Sequence, residues 1–473
     1  MTPYLLLFNF FFLLSIIGAG HALLTKKYPS SALIWVAVCL SFPVVGLLVY
    51  ILFGVNRVKR SAKKLRKEFE TLQGKTREAI SSTLAHSCDL KELPDEFIEL
   101  EKIGRALTGD LPLKGNEITP LYNGQQAFPI MKDAIKQAKQ SVYLSTYLLI
   151  KDDVGKDFVD TLIAAHKRGI HVAVLIDGFG LFWSWVTVVR RLRKHGVPAT
   201  IFMPLRIVPP QIRLNLRNHR KLLVVDGTTG FAGGMNIGGN RTTIGKRRMT
   251  DMHFKLTGPI VCRLQEIFLE DWAYAKGESH QPFPTPDQHT GNSLSRVIQD
   301  GPDNPANPLH TSLVATINAA RKTIHIMTPY FLPSREIASA LTIAALRGVA
   351  VHIILPAKCN LPFMHWASRN YMQRLLEGGV RIFYQPPPFC HTKLLIVDDC
   401  YTQFGSANLD PRSLQLNFEL NIEVLDTDFA DQLMRHINTT INKSHEVSRE
   451  EIVRRSIPVR LRDAFFWLFS PYL

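Results

Sequence analysis

The chain has 473 residues, 46% of them hydrophobic, and carries 56 Lys and Arg against 40 Asp and Glu, a formal net charge of +16. That length supports two or three domains with sizeable cores, and the cationic excess points to an anionic partner, either nucleic acid or acidic lipid. Six cysteines without CxxC spacing or an even framework argue against a disulfide scaffold or a zinc site and fit reduced thiols facing a cytoplasm.

Two apolar runs come first. "YLLLFNFFFLLSIIGAGHALL" (residues 4–24) and "SALIWVAVCLSFPVVGLLVYILF" (residues 31–53) are uncharged. Each is long enough as a helix to cross a hydrocarbon core of ~30 Å. No basic segment precedes the first run and no small-residue cleavage site follows it, so a signal peptide fits poorly. The expectation is a two-helix transmembrane hairpin over residues 1–55. After it, "RVKRSAKKLRK" (residues 57–67) holds seven basic residues and no acidic one. The positive-inside bias places that side, and the chain beyond it, in the cytoplasm, with the run lying on anionic headgroups.

Residues 56–115 read as a charged helical connector. Beyond it the chain repeats once, giving expected units at 116–290 and 291–473. "AIKQAKQSVYLSTYLL" (134–149) has its counterpart in "TINAARKTIHIMTPYFLP" (316–333), and "LIAAHKRGIHVAVLID" (162–177) in "LTIAALRGVAVHIILP" (341–356). Each is an amphipathic helix, a turn and a β-branched run. Helices alternating with apolar strands predict an α/β sandwich repeat with a mostly parallel central sheet.

Each half ends in a matching constellation. His219, Lys221, Asp226 and Asn236 stand at offsets 0, 2, 7 and 17; His391, Lys393, Asp398 and Asn408 stand at the same four. Residues two apart on a strand project from one face, so each His shares a space with its Lys. A lone HxK pair is weak; two copies with four matching offsets are specific. The set suits metal-free phosphoryl transfer. Lysines and asparagine amides neutralise non-bridging oxygens. One neutral imidazole attacks, and a second acts as acid for the leaving alkoxide. Carboxylates to hold the imidazoles lie downstream: Glu419, 28 residues after His391, and Asp251, 32 after His219. Asp226 and Asp398 follow the apolar strands, where a turn-holding role outranks a catalytic one. No metal-ligand spacing is present, so no metal or cofactor is expected. His253 lies close to Asp251 and is open to a supporting role.

These stretches resemble the paired HxKxxxxD motifs of the phospholipase D superfamily. With "GNEITPLYNGQQAF", "QDGPDNPAN", "TPYFLP" and "FGSANLDPRSLQLNFELN", the likeness to its bacterial cardiolipin synthase branch covers nearly the whole chain. The resemblance implies two phospholipase D-like α/β repeats after a membrane anchor. It implies that His219 and His391 serve as nucleophile and general acid/base, that Lys221, Lys393, Asn236 and Asn408 bind the phosphate, and that Glu419 and Asp251 orient the histidines. It carries Asp226 and Asp398 as motif members and places Ser406 near the phosphate, where the first half has Gly234. A departure is Asn360, where an aspartate is expected. The implied reaction joins two phosphatidylglycerol molecules into cardiolipin and glycerol at the bacterial inner membrane, with no nucleic acid involved. A nuclease of the same superfamily, another headgroup donor and a non-catalytic scaffold are the alternatives; the twin apolar runs and intact motifs disfavour the first and last. "GFGLFWSWVTVV" (178–189) stands as a candidate for excluding water, or as a core helix. "RSIPVRLRDAFFWLFSPYL" (455–473) reads as an interfacial amphipathic segment, or as a helix packed on the catalytic domain.

Overall fold

A computed structural model describes residues 3–26, 29–51, 95–179, 185–204, 216–239, 249–277, 289–302 and 304–470. The chain divides into two compact units, Met1–Lys64 and Leu65–Leu473. The basic run at 57–67 and most of the expected connector lie outside the described residues.

In the first unit the helix Pro3–Thr25 is continuous. Among the described residues it is the one helix long and apolar enough to cross a membrane. The second apolar run departs from the expected single helix. It forms Pro29–Ser41, breaks, and resumes as Val45–Val49. Pro43 is the physical reason: it lacks an N–H and crowds the residue before it out of helical geometry. After the break the chain turns back. Tyr50 reaches His21, with Nδ1 and Oη 2.6 Å apart, and its ring lies 5.3 Å from that of Trp35 in the middle of the second helix.

The second unit is built on one 15-stranded sheet. Its first half holds β1 (Leu113–Tyr122), β2 (Ser141–Thr146), β3 (His171–Asp177), β4 (Ala199–Phe202), β5 (Leu222–Val225), β6 (Thr229–Gly233), β7 (Met249–Thr250) and β8 (Met252–Thr257). The second half holds β9 (Ser293–Asp300), β10 (Thr323–Met327), β11 (Ala350–Pro356), β12 (Arg381–Gln385), β13 (Phe389–Cys390), β14 (Leu394–Val397), β15 (Tyr401–Gly405), β16 (Glu419–Leu425) and β17 (His445–Glu446). β1 begins at Leu113, inside the span expected for the connector. Outward from the central β1–β9 pair, one side runs β1-β8-β6-β5-β2-β3-β4 and the other β9-β16-β15-β14-β10-β11-β12, with β17 at the edge. Strand for strand the orders correspond, so the internal repeat is structural.

The sheet is mixed, not mostly parallel. Within it parallel pairing is confined to β2-β3-β4 and β10-β11-β12, where helices make the crossovers the sequence announces; β7 and β13 stand outside it as a separate two-stranded parallel sheet. The motif strands pair otherwise. β5 joins β6, and β14 joins β15, through tight turns at Asp226 and Asp398, and a tight turn can only join antiparallel strands.

One core cluster draws on both halves. The helix Ile260–Lys276 sinks Ile260, Leu264, Phe268 and Trp272 into it, and Phe254 stacks on Phe404 at 3.6 Å across the halves. Each such side chain fully buried is worth roughly 1.5–3 kcal/mol. The halves therefore share one interior, and their seam is fixed.

Candidate active site

Each HxK segment is extended but unpaired within its own half, and each finds its partner in the other. Asn218 bridges to Phe418, with His219 N donating to Phe418 O at 2.9 Å and Phe418 N to Arg217 O at 2.8 Å. Reciprocally, β13 runs parallel to β7, and His391 N donates to Thr250 O at 2.8 Å. The residue that follows each backbone partner is a carboxylate. So His219 Nδ1 lies 2.9 Å from Glu419 Oε1, and His391 Nδ1 lies 2.9 Å from Asp251 Oδ2. Both carboxylates are wholly buried and both imidazoles nearly so. Sequence order places Glu419 in the half of His391; in space it serves the histidine of the other half.

With Nδ1 held by a carboxylate, the lone pair of a neutral ring sits on Nε2. Burial pushes His219 down to about 4, with Lys221 and Lys393 adding to the shift and Glu419 opposing it. The ring is neutral at physiological pH, as a nucleophile must be. Lys393 Nζ donates to His391 O at 2.6 Å and lies 3.2 Å from His391 Nε2. Lys221 Nζ donates to His219 O and sits 5.2 Å above the Tyr147 ring. Both ammonium groups are thus at the histidines.

The remaining expected residues sort by geometry. Asn236 Oδ1 accepts from Leu148 N at 3.3 Å, and Asn408 Nδ2 donates to Ser413 Oγ at 3.2 Å. Asn408 Oδ1 is buried without a hydrogen-bond partner among the described residues. Ser406, expected at the phosphate, instead donates its hydroxyl to Glu419 Oε2 at 2.5 Å and accepts from Leu420 N at 3.0 Å. It anchors the carboxylate behind His219. Gly234, its counterpart, sits in a tight space: a Cβ there would stand 3.1 Å from Asp251 Oδ1 and 3.2 Å from Lys393 Nζ, so those groups would have to shift by a few tenths of an ångström.

Asp226 and Asp398 take no part in the site. Asp226 accepts from the backbone N–H groups of Lys139, Gln140 and Ser141 at 2.7–2.8 Å. Asp398 does the same with Arg321, Lys322 and Thr323 at 2.7–2.9 Å. Each fastens its motif turn, at φ near +50°, to the start of the neighbouring strand. Asp226→Ala is expected to lower stability by about 2 kcal/mol, because charge-assisted bonds to three donors are lost. Turnover per folded molecule should stay within about twofold of wild type, since nothing around either imidazole moves. Denaturation midpoints and active-site titration check this, with Asp226→Asn intermediate.

Several residues at the site carried no mark in the motif reading. Tyr147 sets its ring edge-on to His219 at 5.0 Å, and burial holds its phenol well above the ordinary range. In the second half Pro329 stands at the equivalent position, and Tyr330, one residue on, faces His391 at 6.4 Å and donates to Asn360 Oδ1 at 2.7 Å. Arg220, the middle residue of the first HxK, points away from the site and is fully buried: Nη1 meets Asp271 Oδ1 at 2.7 Å, Nη2 Asp300 O at 3.1 Å, and Nε Glu419 O at 3.2 Å. His253 is buried on β8 with its Nδ1 unpaired among the described residues, and burial lowers it to about 4. Trp183 lies outside the described residues, as does the side chain of Trp185, so the water-excluding stretch is untested there.

Two carboxylate-backed imidazoles, each with a lysine, lie at the seam of a duplicated sheet, an arrangement chemically able to carry phosphodiester transfer. A family model described as "Cardiolipin synthase, PLD-like domain" matches residues 131–272 and 313–441, and one described as "Phospholipase_D-nuclease N-terminal" matches residues 7–54. The chain is 34% identical over 463 residues to cardiolipin synthase 2 of Bacillus anthracis, covering 95% of this chain and 88% of that protein. It is 30% identical over 486 residues to the major cardiolipin synthase ClsA of Bacillus subtilis (strain 168), covering 99% of each. The crystal structure of phosphatidylserine synthase from Haemophilus influenzae Rd KW20 shares the fold, with a TM-score of 0.61 at 16% identity, over 79% of this chain and all of that one. The chain belongs to the cardiolipin synthase family of the phospholipase D superfamily. It is a membrane-associated phosphatidyltransferase acting on phospholipid.

Proposed function

We propose that the enzyme condenses two phosphatidylglycerol molecules into cardiolipin and glycerol, with His219 as nucleophile and His391 as acid and base. The crossed dyads carry this reading: two imidazoles, each aimed by a carboxylate of the opposite half, share one seam. His219 Nε2 attacks the phosphorus of the first lipid while His391 protonates the departing glycerol oxygen. The phosphatidyl group is then bonded to His219. A headgroup hydroxyl of the second lipid, deprotonated by His391, attacks that phosphorus, forming cardiolipin and freeing His219. Lys221, Lys393 and the amides of Asn236 and Asn408 counter the charge on the non-bridging oxygens. Burial keeps His219 unprotonated, which suits the nucleophile's role.

The sign of the pH dependence follows. Protonation removes the Nε2 lone pair, so kcat/KM should hold its plateau well below pH 6.5 and fall as pH drops through about 4. A pH–rate profile with an acid limb near 6.5 would contradict the assignment. The basic run at 57–67 supports a cytoplasmic catalytic unit.

Purified full-length enzyme with phosphatidylglycerol as sole lipid tests the reaction. Cardiolipin and glycerol in equal amounts are expected. Phosphatidic acid without cardiolipin would make the enzyme a hydrolase, and turnover only after phosphatidylethanolamine is added would reassign the donor.

A further inference from the structure

The helix Ile457–Trp467 closes the described chain and has two unlike faces. Its inner face is fixed. Asp463 is fully buried among Arg455, Arg462 (2.7 Å) and Arg369 (3.7 Å). Phe466 packs on Trp366 at 5.0 Å and on Phe363 at 6.4 Å, and Arg462 covers Trp366 at 4.4 Å. No described residue covers the outer face. Ile457, Leu461, Phe465 and Leu468, at helical spacings of four, four and three, are 71%, 66%, 55% and 65% exposed, and Phe469 extends the patch. A soluble surface does not leave four large apolar side chains in one stripe without a partner.

Charge and position say what that partner is. Three arginines meet one aspartate beneath the stripe, and exposed Arg454 and Arg460 flank it, so the patch is apolar within a cationic frame. That combination fits an anionic lipid monolayer and opposes another copy of this basic chain. The patch also continues to the site. Phe466 and Phe363 belong to one apolar cluster with Leu332, Met364 and Tyr330, and Tyr330 faces His391. Between them Leu361, 37% exposed, stands at the start of helix Pro362–Glu377 beside exposed Lys358.

We propose that the helix Ile457–Trp467 lies in the membrane interface, its apolar stripe among the outer acyl carbons. There it holds the mouth formed by Leu361, Tyr330 and His391 at headgroup height, so that lipids reach the site laterally. This rests on the substrate being a bilayer phospholipid, and it adds a docking element distinct from the N-terminal unit.

The test places bimane at Leu461→Cys or Phe465→Cys, with Lys443→Cys as control, in a full-length cysteine-free background that retains turnover. The protein is reconstituted in phosphatidylglycerol–phosphatidylcholine vesicles carrying bromine on the upper acyl carbons. Fluorescence at 461 and 465 should fall about twofold while that at 443 is unchanged, since interfacial helices bury about 5–10 Å deep. Equal, weak quenching at all three positions would overturn the proposal. So would shielding of 461 and 465 from iodide without bromolipid quenching, the signature of a protein partner. Quenching is read without turnover, so it stands apart from the lipid assay above. As a second variant, Leu461→Glu with Phe465→Glu should raise the KM for surface concentration of phosphatidylglycerol about tenfold and leave kcat unchanged. A fall in kcat at constant KM would mean the stripe supports the fold of the site and would also overturn it.

Discussion

Glu419→Gln should cut kcat roughly a thousand- to ten-thousand-fold, approaching the loss from His219→Ala, with KM little changed. The carboxylate is wholly buried beside Nδ1. In the proposed mechanism it holds His219 in the tautomer that presents Nε2 and would stabilise the positive charge the ring acquires once phosphorus is bonded. Glutamine keeps the shape but brings an amide that can donate to Nδ1, which favours the opposite tautomer. Ser406 and Asn417 Nδ2 (3.3 Å) fix the other lone pairs of Glu419, so the substituted side chain has no free room to turn. Asp251→Asn should cause a comparable loss through His391. A variant at Glu419 with near-normal kcat would show that the dyad geometry does not govern the chemistry. Thermal unfolding of the same samples separates this from misfolding.

Arg220→Ala is expected to cost about 3–5 kcal/mol of stability, the largest effect of any substitution outside the dyads. Its guanidinium joins Asp271 of the first half to backbone carbonyls of Asp300 and Glu419 in the second, all out of contact with water. Removing it strands a buried carboxylate, Asp271, whose pKa burial already raises against the pull of Arg220. It also leaves two buried carbonyl oxygens short of a donor. Arg220→Leu combined with Asp271→Leu should recover part of the loss, because the uncompensated charge is then gone. Denaturant midpoints read both. Full stability in Arg220→Ala would mean that the seam is held by the shared aromatic core alone.

The comparison of sequence with structure turns on what local pattern can encode. The four matched offsets announced two equivalent strands, and the fully buried "LLVV" and "LLIV" are β5 and β14. The helix–turn–strand repeats likewise became the parallel crossovers. What local pattern lacked was the seam. Asp251 lies within the half of His219 and Glu419 within that of His391, so sequence distance suggests dyads within each half. Pairing of residues 217–219 with 417–418, and of 389–391 with 249–250, exchanges them. Such contacts, 140 and 200 residues apart in the chain, leave no periodic trace. Ser406 was drawn to the phosphate by its motif position, whereas its hydroxyl completes Glu419. The break at Pro43 was visible as a proline inside an apolar run, yet uniform hydropathy outweighed it. The charged helix Ile457–Trp467 showed its amphipathic pattern, but only packing revealed which face is left open.

Covalent capture on His219 tests the shared two-histidine site most directly. His391→Ala enzyme, mixed with phosphatidyl-p-nitrophenol, needs no acid to expel its leaving group but lacks the base for the second attack. An initial release of one p-nitrophenolate per site is expected, and a denaturing quench at neutral pH, which spares the acid-labile P–N bond, followed by peptide mass spectrometry should find the phosphatidyl mass on the peptide holding His219. His219→Ala should release none. A phosphatidyl group found elsewhere, or release by His219→Ala equal to that by His391→Ala, would contradict the assignment of the two imidazoles.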